Sequence, residues 1–333
     1  MRLPAFAYAS PKTVEETVTL LAQAGGKAKI LAGGTDLLPG LKRRSIAADL
    51  VVNIKGIGDL QEVENRNDGS VTVGAAVSLR RLQGLALPRA ARLAASRIAA
   101  AELRNMGTIG GNLMLDNRCW YCDRSRQWWQ GKDPCFKRGG AQCYVFPSGS
   151  QCRAAAVSDL APALIALGVE AEIMSTAGRQ RVPVQDLYQA DGACPHPLGG
   201  EALIARFHFP FLPPGSGTAF LKMAKRQTLD FALVNAAARI SLAADGVTCK
   251  EAAAALSGSV VRPAVVPVDR LVGKQIGPAI LDEAVAEAIK EIGFITPAAA
   301  LDVPAGYRRQ AAAVLLRRCL EEAWAEAASG VTP

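Results

Sequence analysis

The chain has 333 residues, half of them hydrophobic, a fifth charged and a twentieth aromatic. At about 100–200 residues per domain that length predicts two or three globular domains, and the aliphatic content excludes general disorder. Thirty-eight Lys and Arg against thirty Asp and Glu leave a net charge of +8; it is spread without a long basic block, which favours an acidic partner or cofactor but is no nucleic-acid signature.

In chain order, Thr13-Val14-Glu15-Glu16 is a capping-box pattern, and the apolar spacing predicts a helix over 13–24, stopped by Gly25 and Gly26. Ala28 to Ala32 reads as a short buried strand running into Gly33-Gly34-Thr35-Asp36, and 49–54 as a second strand. Short strands follow at 60–64 and 70–77, then a helix over 87–101 with Pro88 in its first turn. A second Gly-rich turn is Asn105-Met106-Gly107-Thr108-Ile109-Gly110-Gly111-Asn112. Residues 116–153 break the pattern, being aromatic, basic and rich in cysteine.

Regular structure resumes where Ser158-Asp159 caps a helix to Leu167, followed by strands at 169–175, 180–184 and 201–209. Pro210, Pro213, Pro214 and Gly215 mark a linker. Beyond it come strands at 218–224, 232–242 and 248–256, then helices at 281–292 and 305–327. The last helix shows Leu315, Leu316, Leu320 and Trp324 on one face and Arg308, Arg309, Arg317 and Arg318 largely on another. Strands first and helices last make this portion α+β. No apolar run reaches the roughly 18 residues of a membrane span. Met1-Arg2-Leu3-Pro4 lacks the basic-then-apolar layout of a signal peptide. The expectation is a soluble, cytoplasmic protein.

Neither Gly-rich turn fits the dinucleotide fingerprint or the phosphate loop. Glycine nevertheless lets successive N–H groups point into one concavity, and such a nest binds phosphate oxygens, with Thr35 or Thr108 as a further donor. Taken singly, each turn also fits a plain tight connection. As a pair, Ile30-Leu31-Ala32-Gly33-Gly34-Thr35-Asp36-Leu37 and Thr108-Ile109-Gly110-Gly111-Asn112 resemble the FAD-binding medium subunits of the molybdenum hydroxylase (xanthine dehydrogenase) family. The likeness continues through Ser158-Asp159-Leu160-Ala161-Pro162-Ala163-Leu164, Leu221-Lys222-Met223-Ala224-Lys225-Arg226 and Tyr307-Arg308-Arg309, nearly the whole chain.

The resemblance implies an α+β fold: two FAD-binding α/β subdomains of the vanillyl-alcohol-oxidase (PCMH-like) type, at 1–55 and 56–212, and a C-terminal antiparallel sheet with helices at 213–333. It implies that residues 30–37 wrap the FAD diphosphate with backbone amides and that 108–112 complete the cradle. Asp159 and Lys222 would meet polar parts of the cofactor, and Ile98 and Ile204 would give apolar or backbone contacts. Asp159 alone also fits a helix N-cap, and Lys222 a solvated strand end.

In ordinary members of this family the second turn leads almost directly to the Ser-Asp-Leu helix, whereas here about forty residues (116–157) intervene. The insert has too few aliphatic residues for its own core, so a staple is expected. Five of the eight cysteines lie in it: Cys119, Cys122, Cys135, Cys143 and Cys152. Zinc, a disulfide, free thiols and an iron–sulfur cubane are the candidates. Cys119 and Cys122 form one C-x-x-C pair and the insert has no histidine, which weakens zinc.

The spacing of Cys119, Cys135, Cys143 and Cys152, flanked by Asn117-Arg118 and Trp128-Trp129, resembles the 4-hydroxybenzoyl-CoA reductase branch of the family. That branch holds an additional 4Fe–4S cluster in this loop. The resemblance implies these four cysteines as ligands, with Cys122 spare. It further implies FAD, a large molybdopterin-binding subunit, a small 2Fe–2S subunit, a ferredoxin-like donor feeding electrons inward, and a dimer of heterotrimers. Substrate chemistry would lie on the partner subunit, so no catalytic residue is expected here. The insert's Arg and Lys residues would offset an anionic cluster or meet an acidic donor. The alternatives are the FAD subunit of a carbon monoxide or heteroaromatic dehydrogenase and, from another class, a zinc-binding module.

Overall fold

The computed structural model describes residues 2–294 and 303–330, so the outer bounds expected for the first and last domains, and the stretch 295–302, lie outside the described residues. Three sheets organise the chain.

The first is parallel, in the order β1 (Ala7–Ala9), β3 (Leu50–Asn53), β2 (Ala28–Leu31), with α1 (Val14–Gln23) and α2 (Leu37–Arg43) as its helices. Thr13 starts α1 by accepting the Glu16 amide at 3.1 Å, as the capping pattern predicts. Glu16 reaches back to the amide of Lys12 at 2.8 Å. Val14, Thr17, Val18 and Leu21 are buried on one face of the helix.

The second sheet is antiparallel, ordered β4 (Val63–Asn65), β5 (Val71–Gly74), β8 (Leu203–Phe209), β6 (Glu170–Ser175), β7 (Gly178–Pro183). Between β5 and β6 run α3 (Leu79–Gln83), α4 (Arg89–Ser96), α5 (Ala101–Met106), α6 (Ile109–Leu113), α7 (Arg126–Trp129) and α8 (Leu160–Ala166). The helix expected over 87–101 is broken. Ala99 takes a left-handed φ of 45°, and the freed carbonyls are satisfied from outside: Arg97 by Lys222, Ile98 and Ala99 by Arg104. The second Gly-rich turn is also more regular than expected, because Thr108 caps the single turn of α6 through the Gly111 amide.

The third sheet is an antiparallel meander, β9 (Ser216–Met223), β10 (Val234–Leu242), β11 (Cys249–Ser257), β12 (Ala264–Val266), packed by α9 (Pro278–Glu291) and α10 (Ala305–Ala328). Gly217 lets α10 press onto β9, since a Cβ there would stand 2.1 Å from the Ala323 carbonyl oxygen. Arg308, one of the arginines that share a face of α10, is turned into the interior. It is 1% exposed, with Nη1 donating to the Leu233 carbonyl and to Ser259 Oγ, each at 3.3 Å. α4 and α8 pack against this third sheet and also belong to the core of the second. Among the described residues no helix is long and apolar enough to cross a membrane.

Candidate cofactor-binding site

The two Gly-rich segments meet. After β2 the chain passes through Gly33 and Gly34, the latter at φ 72°. A Cβ on Gly33 would lie 1.9 Å from the carbonyl oxygen of Met106, so glycine is what allows this loop to touch the end of α5. Among the described residues the amides of Gly33, Gly34, Thr35 and Asp36 find no protein acceptor, and the loop is half-exposed. Unspent N–H groups at the head of α2 suit an anion such as a diphosphate.

The second segment differs. The Ile109 amide donates to Val77 O, Gly110 to Ala75 O and Gly111 to Thr108 Oγ1, at 2.9–3.1 Å. Asn112 is buried, its Oδ1 accepting Ser158 Oγ–H at 2.8 Å and the Leu160 amide at 3.3 Å. This segment is therefore a braced wall beside the first loop, with its amides already engaged.

Ser158, not Asp159, caps α8, taking the Ala161 amide at 3.1 Å. The Asp159 side chain instead meets Lys222 Nζ at 2.6 Å and accepts Asn235 Nδ2 at 2.9 Å. Lys222 also donates to the carbonyls of Arg97 and Asp230, at 3.0 and 2.9 Å, so its three protons are all committed. Burial pushes the Asp159 carboxyl up, against the pull of Lys222 and Asn235. The plain cap and the solvated strand end considered for these two residues are thus both replaced by a buried ion pair. Ile98 and Ile204 are buried in the core of the second sheet. His196 bonds the carbonyls of Leu187 and Leu115, a bracing role.

The cysteine insert is closed at its base by paired bonds between Arg118 and Ala155, both 2.9 Å, and by Asn117 Nδ2 donating to the carbonyls of Ala154 and Val261. Inside, Cys119, Cys135, Cys143 and Cys152 are buried, Cys122 is partly so, and all five line one small cavity with Tyr121, Phe136 and Tyr144. One of these sulfurs receives a backbone donor, Cys152 from the Ala154 amide at 3.4 Å. Burial raises the Cys119 thiol and pushes Cys152 up to about 11, whereas the neighbouring Cys122 thiol, first of all, brings Cys135 down to about 6. Among the described residues no group of three or more His, Cys, Asp or Glu side chains is placed to hold a metal ion.

The insert's cations are largely spent on packing. Arg124 lies over Trp120, Arg138 over Trp129, Lys132 over Trp128, Arg153 over Phe146, and Lys137 pairs with Asp116. Tyr121 and Tyr144 stack at 5.6 Å, which ties the aromatic residues to the thiol cavity. Arg118 leaves the insert altogether: its guanidinium pairs with Asp36 on the first Gly-rich loop and lies 5.6 Å from the Phe231 ring centre. Sequence reading singled out Arg118 as a neighbour of Cys119 but had no signal for its reach to Asp36, and it missed Asn235.

Comparison with known proteins bears on this geometry. Residues 4–212 match the FAD binding domain in molybdopterin dehydrogenase, and residues 219–323 the CO dehydrogenase flavoprotein C-terminal domain. The carbon monoxide dehydrogenase medium chain of Afipia carboxidovorans is 32% identical over 330 residues, 97% of this chain and 98% of that one. The aldehyde oxidoreductase FAD-binding subunit of Escherichia coli is 31% identical over 260 residues, covering 72% of this chain and 78% of that one. Among solved structures, carbon monoxide dehydrogenase from Hydrogenophaga pseudoflava superposes with a TM-score of 0.78 at 25% identity, over 98% of this chain and 99% of that one.

Proposed function

The chain belongs to the family of FAD-binding medium subunits of the molybdenum hydroxylases, and from that premise we propose that it is an electron-transfer subunit carrying FAD at the 33–36 loop and a 4Fe–4S cluster in its cysteine insert. The observation that carries the reading is the convergence of five thiols on one buried cavity whose base is tied, through Arg118, to that loop.

The residues suit both groups. Free amides at Gly33 to Asp36 offer donors to a diphosphate. Cys119, Cys135, Cys143 and Cys152 are the four thiolates, and the Ala154 amide that donates to Cys152 Sγ would support its charged form. Bound together, the two groups would supply one-electron transfer coupled to the two-electron chemistry of the flavin.

As a medium subunit the chain would work beside a large molybdopterin-binding subunit and a small 2Fe–2S subunit, as a dimer of heterotrimers. The narrower reading is the 4-hydroxybenzoyl-CoA reductase type, removing a ring hydroxyl with electrons from a ferredoxin-like donor; the cysteine spacing supports it. A second reading, the FAD subunit of a carbon monoxide or heteroaromatic dehydrogenase without a cluster, is favoured by the names and near full-length coverage of the relatives.

Iron, sulfide and flavin determination on the purified complex separates the two. About four iron and four sulfide beyond the 2Fe–2S content, with one FAD per chain, is the expected result. Flavin without the extra iron would leave the second reading, and a colourless protein would refute both.

A further inference from the structure

We propose that Arg118 is a positioning residue through which the cysteine insert sets flavin affinity, by neutralising Asp36 on the 33–36 loop. The inference rests on the reading of that loop as the FAD diphosphate site. Asp36 is the single acidic residue between Ala32 and Leu37. Its carboxylate stands on the same short loop as the four unspent amides, where a diphosphate would be repelled by it.

Arg118 meets that carboxylate directly, with side-chain exposures of 16% and 36% for the pair. A guanidinium keeps its charge at any working pH, so the compensation is permanent. The arginine is also well held: its backbone closes the insert against Ala155, the Phe231 ring lies beside it, and Asn117 anchors the preceding residue to Val261. Asp123, in the insert, also lies within the field of Arg118, as it does within that of Arg43. The insert therefore contributes a charge to the flavin loop, apart from any cluster it holds.

The test uses the complete complex stripped of flavin, with FAD affinity read from quenching of FAD fluorescence. Arg118→Gln is expected to weaken FAD about tenfold, the loss growing as salt is lowered. Arg118→Lys should stay within about threefold of the wild type, because it keeps the charge. Asp36→Asn in the Arg118→Gln background should restore most of the loss, a recovery that a merely structural arginine would not give. An unchanged near-ultraviolet circular dichroism spectrum of each variant, to which the insert's stacked aromatic residues contribute, shows that the insert is still folded. Wild-type affinity in Arg118→Gln, or a double variant as weak as Arg118→Gln alone, would overturn the proposal. Failure of the underlying reading looks different: Gly33→Val would then retain FAD as tightly as the wild type.

Discussion

Lys222 Nζ lies 2.6 Å from Asp159 Oδ2, and the two side chains are 9% and 5% exposed. This pair joins β9 to the head of α8, and through Arg97 and Asp230 it also holds the segments on either side. Removing one partner of a buried pair strands the other charge, which costs about 3–5 kcal/mol. Lys222→Met is therefore expected to lower stability by that amount, measured by urea unfolding. A loss below about 1 kcal/mol would mean that the pair behaves like a surface salt bridge.

The two glycine segments should respond differently to added volume. On Gly33 a Cβ would collide with the Met106 carbonyl at 1.9 Å, whereas on Gly110 it would stand 3.0 Å from Ala75. Gly33→Val should push the loop off α5, costing at least about 1–3 kcal/mol and stripping the flavin. Gly110→Ala should need a shift of a few tenths of an ångström and keep most of its FAD. Equal flavin loss in both variants would show that backbone approach to the cofactor matters more than the loop contact.

Serine in place of Cys119, Cys135, Cys143 or Cys152 should abolish the extra iron and sulfide and loosen the insert, because each side chain is buried on the shared cavity. Cys122→Ser should retain the cluster. The readout is iron content with electron paramagnetic resonance of the reduced complex. If Cys122 proves indispensable and Cys119 dispensable, the ligand set shifts by one cysteine while the cluster stands.

His208 predicts a pH dependence of stability in the second sheet. Burial first, and then Arg181, hold its imidazole below 6.5, against the pull of Glu172. The unfolded imidazole therefore binds protons at a pH where the folded one does not, so this contribution is whole above 6.5 and is lost as the pH falls below it. The wild type should lose more thermal stability than His208→Gln between about pH 7 and about pH 5.5. Parallel profiles would show that His208 titrates alike in both states.

Local chemistry alone determined a good deal here. The Thr13 cap, the apolar spacing of α1 and α10, and the strands at β2, β3, β6, β8 and β10 follow from short-range pattern, and the structure places them within a few residues. Gly33 also stood out, since only glycine fits where the Met106 carbonyl comes so close, whereas the meaning of the cysteine spacing rested on family resemblance. What the sequence could not show lies in contacts between distant positions. Helix propensity runs smoothly through 87–101, yet the chain breaks at Ala99 because Lys222 and Arg104 satisfy the freed carbonyls. Arg308 looks like a surface cation until Leu233 and Ser259 meet it in the interior. Asp159 reads as a cap until Lys222, 63 positions away, takes its carboxylate, and Arg118 reads as a loop charge until Asp36, 82 positions earlier, receives it. Charged side chains carry no periodicity that names a partner. Which of them is buried, and against what, is decided by the packing of three sheets that the chain reaches only after folding.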